Sequence, residues 1–170
     1  MATSCCSNST SEKGADLIYF EDLEVGSKQA FGRYEVTREE VLEFANKYDP
    51  QAFHLSDAAA AKTHFGRVSA SGWHTCSMTM AMMVENMKSV KQAGLGSPGI
   101  DNLRWKKPVY PGDTLRVESE VIEKRRSQSR PEMGLFKSRA QIFNQHEEIV
   151  LEMTSNGMIA VRDPKAPMEQ

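Results

Sequence analysis

One short segment of the chain carries a carboxylate and an imidazole at a spacing that suits acid–base chemistry. Asp49 and His54 lie five residues apart in YDPQAFHLSD, residues 48–57. A carboxylate and a histidine brought to one point can hold a water molecule, one accepting its proton while the other orients it or donates to a substrate. Near neutral pH an ionised aspartate and a neutral imidazole are both available. The alternative is structural: Asp49 stabilises the turn and His54 is a buried, hydrogen-bonded histidine.

A glycine at the start of the most strongly helical segment is the second candidate. Gly72 lies in SASGWH, residues 69–74. The first amides of a helix have no intrahelical partner, and the helix dipole adds positive potential there. Such a position suits an oxyanion or a polarised carbonyl oxygen. The alternative is a glycine needed only for close packing beneath a sheet.

The other histidines carry weaker signals. His64 is expected at a helix end, His146 in a hairpin turn, and His74 either faces the site or packs in the interior. The chain has no GxSxG nucleophile elbow and no Cys/His zinc pattern. Neither a serine hydrolase of that type nor a metal site is therefore predicted.

Length and composition favour a single domain. The chain has 170 residues, of which 39% are hydrophobic and 26% charged, with a formal net charge of −2. No global positive field attracts nucleic acid, and the apolar stretch around residues 78–84 is too short to span a bilayer. We expect a disordered tail over 1–16, one domain over 17–162 and a flexible tail over 163–170.

Cysteine usage and the N-terminal sequence indicate a cellular compartment. The three cysteines, Cys5, Cys6 and Cys76, form no regular disulfide framework, and no basic segment followed by an apolar one marks a secretory signal. A reducing, cytoplasmic setting is the expectation.

Local patterns predict the elements that hold the first candidate pair. A strand is expected from about 28 to 36, and Thr37 with Glu40 has the form of a capping box at the start of a helix. Pro50 stops that helix, because the residue before a proline is pushed out of the helical region. A short second helix follows through the alanine run, so residues 48–57 are expected to form a loop or tight turn.

A long helix is predicted from Gly72 to about Lys91. It looks apolar nearly all round, and such a helix is normally wrapped by other structure on most sides. The glycines and proline of 94–99 are expected to break the chain after it. The apolar stripe that steps by three or four residues consists of Trp73, Cys76, Met80, Met83, Met87 and Val90.

The last third of the chain alternates like successive strands. Short turns between such strands imply an antiparallel sheet, and helices segregated from strands imply an α+β fold. One long apolar helix beside one sheet suggests that the sheet curves around the helix. The apolar positions lie within 103–105, 115–121, 136–142 and 149–161.

Three blocks of sequence together carry a family resemblance. YDPQAFHLSDAAAA, GRVSASGWHT and GSPGIDNLRWKKPVYPGDTLRV resemble the MaoC-like dehydratase family of hot-dog proteins, which includes (R)-specific enoyl-CoA hydratases. The similarity runs from about residue 19 to 162. It implies a hot-dog fold, in which an antiparallel sheet wraps a central helix, and a homodimer or larger homo-oligomer joined at sheet edges.

The resemblance also implies catalytic roles. Asp49 and His54 match the residues that activate the water added to a trans-2-enoyl-CoA, and Gly72 matches the glycine whose amide binds the thioester carbonyl. The product is an (R)-3-hydroxyacyl-CoA, and no metal or redox cofactor is implied. The chain departs from the family motif at Gln51 and Ala52, which stand where Asn and Pro are usual.

Substrate-binding residues are expected around the same points. Ser71, which stands where the hydratases commonly have His, and Trp73 flank the candidate glycine. Arg67, Lys106 and Lys107 are candidates for the nucleotide end of coenzyme A. Two other functions stay open, a hot-dog acyl-CoA thioesterase and a non-catalytic acyl-CoA-binding module.

Overall fold

The fold is α+β, as predicted. A computed structural model describes residues 17–166; the N-terminal segment with Cys5 and Cys6, and the last four residues, lie outside the described residues. A 3-10 turn at Phe20–Asp22 precedes the main elements. They are β1 (Lys28–Glu35), α1 (Arg38–Tyr48), α2 (Ala52–Leu55), α3 (Asp57–Ala60), α4 (Gly72–Ser89), β2 (Gly94–Trp105), β3 (Thr114–Arg126), β4 (Met133–Phe143) and β5 (Ile149–Ala160).

The five strands form one antiparallel sheet in the order β1-β3-β4-β5-β2. Helix α4 packs against one face of this sheet, where the buried side chains of Met78 and Met82 join the core. This arrangement of one long helix on one antiparallel sheet confirms the expected hot-dog fold. The strand residues of the core are Leu115, Val117, Ala140, Ile142, Val150, Leu151 and Met153.

The predicted apolar stripe of α4 is not its buried face. The helix buries Thr75, Met78, Thr79 and Met82 instead. On the stripe, Trp73 is 60% exposed, Met80 44% and Met87 37%. The expectation that the helix is covered on most sides is therefore met only in part. Cys76 and Met83 of the stripe are half-buried against the core, whereas Trp73, Met80 and Met87 stay open. No helix within the described residues is long and apolar enough to cross a membrane.

The glycine-rich segment 94–99 continues into a strand rather than breaking the chain. Strand β2 begins at Gly94 and pairs antiparallel with β5 through register shifts at Gly94, Gly96 and Gly99. The segment GLGSPG has the spacing of a dinucleotide-binding loop, but it lies within a strand and opens no helix, so it lacks the geometry of such a loop. An edge strand tolerates glycine and proline because only one side of it must pair.

Helix α1 begins and ends as predicted. Thr37 caps it by accepting the Glu40 amide, and it ends at Tyr48, before Pro50. The Glu40 carboxylate accepts from the Tyr34 hydroxyl rather than reaching back to the cap. Because α1 ends there, Asp49 is placed directly at its C-terminus.

Candidate active site

Asp49 is held by two side-chain donors at the end of α1. Its Oδ1 accepts from Nε2 of Gln51 at 2.8 Å, and its Oδ2 accepts from the hydroxyl of Ser71 at 2.7 Å. The two donors belong to different segments of the chain, so together they fix the orientation of the carboxylate. Gln51 was not expected to take part, although it occupies a position where the chain departs from the family motif.

His54 lies on the single helical turn α2, where a loop or tight turn was expected, and its side chain is buried. Its Nδ1 lies 2.8 Å from the Ser69 carbonyl oxygen. A carbonyl only accepts hydrogen bonds, so Nδ1 carries the proton of the neutral ring. Nε2 is then the unprotonated nitrogen, and it faces Asp49 Oδ2 at 3.5 Å.

The charge state of Asp49 completes this pair. Burial raises its pKa, but hydrogen bonds from Ser71 and Gln51 and the proximity of His54 outweigh burial and hold the pKa below its ordinary value. When the His54 ring is neutral, an ionised carboxylate and a bare ring nitrogen face each other. Both are acceptors that line the cavity, and a water molecule, which has two O–H donors, can bridge them from the cavity side.

Gly72 is joined to this pair through its neighbour Ser71. The Ser71 hydroxyl accepts the Trp73 amide at 3.2 Å and so caps α4 while donating to Asp49. The Gly72 amide lies at the first position of the helix, where no intrahelical acceptor exists. A free donor with helix-dipole assistance therefore sits one residue from the group that holds the carboxylate.

These groups line one open cavity of about 520 Å³. Of the residues expected to bind substrate, Ser71, Trp73, Lys106 and Lys107 line it, and Lys107 also pairs with Glu148. Arg67 is placed elsewhere, with its guanidinium 4.3 Å from the centre of the Tyr110 ring. The remaining wall consists of Gln51, Phe53, His64, Phe65, Ala70, Thr75, Trp105, Pro108 and Val109.

Two wall residues had no signal in the sequence. His64, expected only to end a helix, packs at a tilt against the ring of its neighbour Phe65, with ring centres 3.9 Å apart. Trp105, expected only as a strand position, donates its indole N–H to the Gly72 carbonyl at 2.9 Å. The place of these two residues in the cavity wall could not be inferred from spacing, because that of His64 depends on the turn after α3 and Trp105 lies 33 residues from Gly72.

The other histidines lie away from the cavity. The buried ring of His74 stacks on Phe44 at 4.6 Å, and its Nε2 lies 3.6 Å from the Glu40 carboxylate. Burial lowers the pKa of His74, although Glu40 opposes that shift. His146 is exposed in the turn between β4 and β5, as expected. Within residues 17–166, no three His, Cys, Asp or Glu side chains are grouped so that they could hold a metal ion.

Comparison with known proteins gives concordant matches. A family model described as MaoC like domain matches residues 22–138. A 3-hydroxybutyryl-CoA dehydratase of Methylorubrum extorquens is 34% identical over 109 residues, 63% of this chain and 66% of that protein. A MaoC-like dehydratase structure from Rhodospirillum rubrum aligns at 34% identity with a TM-score of 0.77, covering 86% of this chain and 99% of that one.

A further structural match concerns the fold alone. A Mycobacterium tuberculosis protein described as having a double hot-dog fold is 19% identical with a TM-score of 0.72, covering 89% of this chain and 46% of that one. The whole candidate site, from Asp49 to Lys107, falls within the residues that the family model matches.

Ser71→Ala tests the link between the carboxylate and α4. Loss of one donor is expected to raise the pKa of Asp49, and loss of the cap to lower the free energy of unfolding by about 1 kcal/mol. Because the folded pKa of Asp49 lies below its ordinary 3.8, its stabilisation is present above that value and is lost as pH falls through the folded pKa. The stability difference between variant and wild type should therefore narrow in acid.

The measurements are an NMR titration of the aspartate carboxyl groups and urea unfolding at neutral and acid pH. Ser77→Ala is the matched control, since this exposed hydroxyl on α4 bonds only to the Trp73 carbonyl. An Asp49 pKa that does not move in Ser71→Ala would contradict the role given to the hydroxyl.

Proposed function

Because the chain belongs to the MaoC-like dehydratase family, we propose that it catalyses reversible hydration of a trans-2-enoyl-CoA to an (R)-3-hydroxyacyl-CoA. The observation that carries the proposal is the facing pair of acceptors, Asp49 Oδ2 and His54 Nε2, 3.5 Å apart in the wall of a cavity. The similarity to a 3-hydroxybutyryl-CoA dehydratase supports a short acyl chain, so crotonyl-CoA is the first substrate to assay.

The proposed reaction begins with water bound by the acceptor pair. The water oxygen attacks the β-carbon, one O–H bond breaks, and the proton passes to His54 Nε2 while ionised Asp49 stabilises the positive charge on the ring. The electrons of the double bond move toward the thioester oxygen and form an enolate. The proton then reaches the α-carbon, so the net change is addition of one water molecule. This chemistry needs no metal or redox cofactor.

The enolate oxygen requires a fixed donor on the opposite side of the substrate. The Gly72 amide at the start of α4 supplies it, with positive potential from the helix dipole. One preorganised donor of this kind is worth about 3 kcal/mol in the transition state. The Ser71 link keeps this amide and the water-binding pair within one rigid unit.

Asp49→Asn and His54→Gln test the acceptor pair. Each variant replaces an acceptor or base with a group that cannot take the proton, and kcat is expected to fall by roughly 10²–10⁴-fold. The assay follows loss of the enoyl thioester absorbance with crotonyl-CoA. His146→Gln, an exposed histidine in a turn, is the matched control and should keep wild-type activity. Equal turnover by wild type and both site variants would contradict the assignment.

The same assays separate two other functions. A thioesterase would release free thiol from butyryl-CoA, a saturated substrate that cannot be hydrated. A non-catalytic module would show thermal stabilisation by acyl-CoA without turnover of any thioester. Asp49 and His54 both face the cavity, which favours an enzyme over a module of this kind.

We also propose that Lys106 and Lys107 bind the nucleotide end of coenzyme A. Both line the cavity, where a cation can meet a phosphate. Arg67 is left out of the proposed nucleotide site, because its guanidinium lies over the Tyr110 ring and outside the cavity wall. The proposed location is the cytoplasm, where coenzyme A thioesters and the free thiol of Cys76 are compatible with a reducing medium.

Lys106→Gln tests this nucleotide site. KM for crotonyl-CoA is expected to rise about tenfold, which corresponds to one lost charged contact of about 1.4 kcal/mol, with kcat little changed. Crotonyl-pantetheine, which lacks the nucleotide, is the control substrate and should show the same KM in wild type and variant. A KM increase for both substrates would place Lys106 against the acyl part instead.

The open side of α4 supports a further part of the proposal, a homodimer. Met80 on α4 and Ile100 on the edge strand β2 are both exposed, as are Trp73, Met87 and Leu95. Apolar surface of this kind on an unpaired sheet edge suits a second copy of the chain.

Met80→Glu tests the dimer. Sedimentation velocity of the wild type should give twice the chain mass of 19.0 kDa, and the charge introduced into the apolar face should shift the mass toward one chain. Val25→Glu is the control, because Val25 is also exposed but lies in the turn before β1, outside both α4 and β2. A wild type that sediments as one chain at all concentrations would overturn this part of the proposal.

A further inference from the structure

Trp105 is in direct contact with the backbone of Gly72. Its indole N–H donates to the Gly72 carbonyl oxygen at 2.9 Å. Its ring also fills the space beside the glycine, since a Cβ built on Gly72 would lie 2.6 Å from the indole Cε2. The glycine is therefore held from one side by a hydrogen bond and by contact with a flat ring.

The contact holds the Gly72–Trp73 peptide unit at the start of α4, next to the Ser71–Gly72 unit that carries the Gly72 amide. The Gly72 amide and carbonyl belong to one residue, so a carbonyl held in place limits rotation about the bonds that aim the amide. Ser71 holds the preceding residue through Asp49 and the Trp73 amide. The Gly72 carbonyl is held by Trp105, a residue of the distant strand β2.

A β-bulge brings Trp105 to this position. Between Asp101 and Arg104 the pairing of β2 with β5 shifts by one residue, and Asn102 has a φ of 55°. After the shift Trp105 pairs with Leu151, whose side chain is fully buried on the helix-facing side of the sheet. Because side chains alternate along a strand, the unshifted register would turn the indole to the opposite face.

We propose that Trp105 is a positioning residue for the carbonyl-binding amide of Gly72, delivered to it by the bulge in β2. This inference rests on the proposed function, in which that amide binds the thioester oxygen. The indole lines the cavity beside the amide and so also excludes water from that side of the substrate carbonyl. Loss of the indole N–H then affects the transition state, where charge on the oxygen is greatest, more than substrate binding.

Trp105→Phe removes the N–H donor and keeps an aromatic ring. We expect kcat for crotonyl-CoA hydration to fall by about 10- to 100-fold, since small misplacements of a catalytic group cost rates of that order. KM should change by less than about threefold. Replacement of Trp105 by 3-benzothienylalanine, which keeps the indole's shape with sulfur in place of the N–H, should lower kcat similarly and covers the case in which Trp105→Phe does not fold.

Tyr110→Phe is the matched control. Its hydroxyl also donates to a backbone carbonyl, that of Phe65 at 2.9 Å, so the change removes one donor of the same kind and keeps the ring. Its kcat should stay within about twofold of wild type. Unchanged kcat in the benzothienylalanine protein, or an equal loss in Tyr110→Phe, would overturn the proposal.

An NMR measurement separates this inference from the proposed reaction. Butyryl-CoA, which has the thioester carbonyl but no double bond, should shift the Gly72 amide resonance of the wild type, and Trp105→Phe should reduce that shift by at least half. A wild type that shows the shift without hydrating any enoyl thioester refutes the reaction and keeps the positioning role. Equal shifts in wild type and variant, or no shift in either, overturn the positioning role.

Discussion

The Ser71 hydroxyl donates to the Asp49 carboxylate and accepts the Trp73 amide, and most of the candidate site depends on this one group. Through it, the C-terminus of α1 and the N-terminus of α4 become parts of one hydrogen-bonded unit. The same bond helps to keep the pKa of Asp49 low, and so keeps the carboxylate ionised opposite His54. In the proposed reaction, the substrate carbonyl and the water that attacks the β-carbon must be held a fixed distance apart. The Ser71 hydroxyl bonds both to Asp49 and to the first turn of α4, and so holds the water-binding pair and the Gly72 amide at a fixed separation.

Helix α4 serves two surfaces at once. Its buried face, with Met78 and Met82, stabilises the sheet, and its first residue presents a free amide to the cavity. Its other face carries the exposed side chains of Met80 and Met87. The core therefore fixes where the helix starts, and the start of the helix is the part that the proposed chemistry uses. Stability and function are coupled through the position of Gly72.

Register shifts in the edge strands β1 and β2 decide which of their side chains face the helix. In β1 the shift beside Gly32 allows Phe31 and Tyr34 to pair with Val117 and Leu115, which are both buried in the core. In β2 the shift before Arg104 turns Trp105 toward the helix. A shift of one residue exchanges the two faces of a strand, so each bulge decides which side chains reach the interior.

The sequence by itself determined the α+β class, the approximate limits of α1 and α4, and the pairing of Asp49 with His54, because periodicity, capping residues and Pro50 act over a few residues. Only the tertiary structure decided which side of α4 is buried, since a helix that is apolar nearly all round has no preferred face until a sheet covers one. It also decided that residues 94–99 join an edge strand and that Trp105 meets Gly72. Strand pairing and register set both outcomes, and they are formed by residues distant in the chain. Local sequence patterns therefore do not predict such contacts.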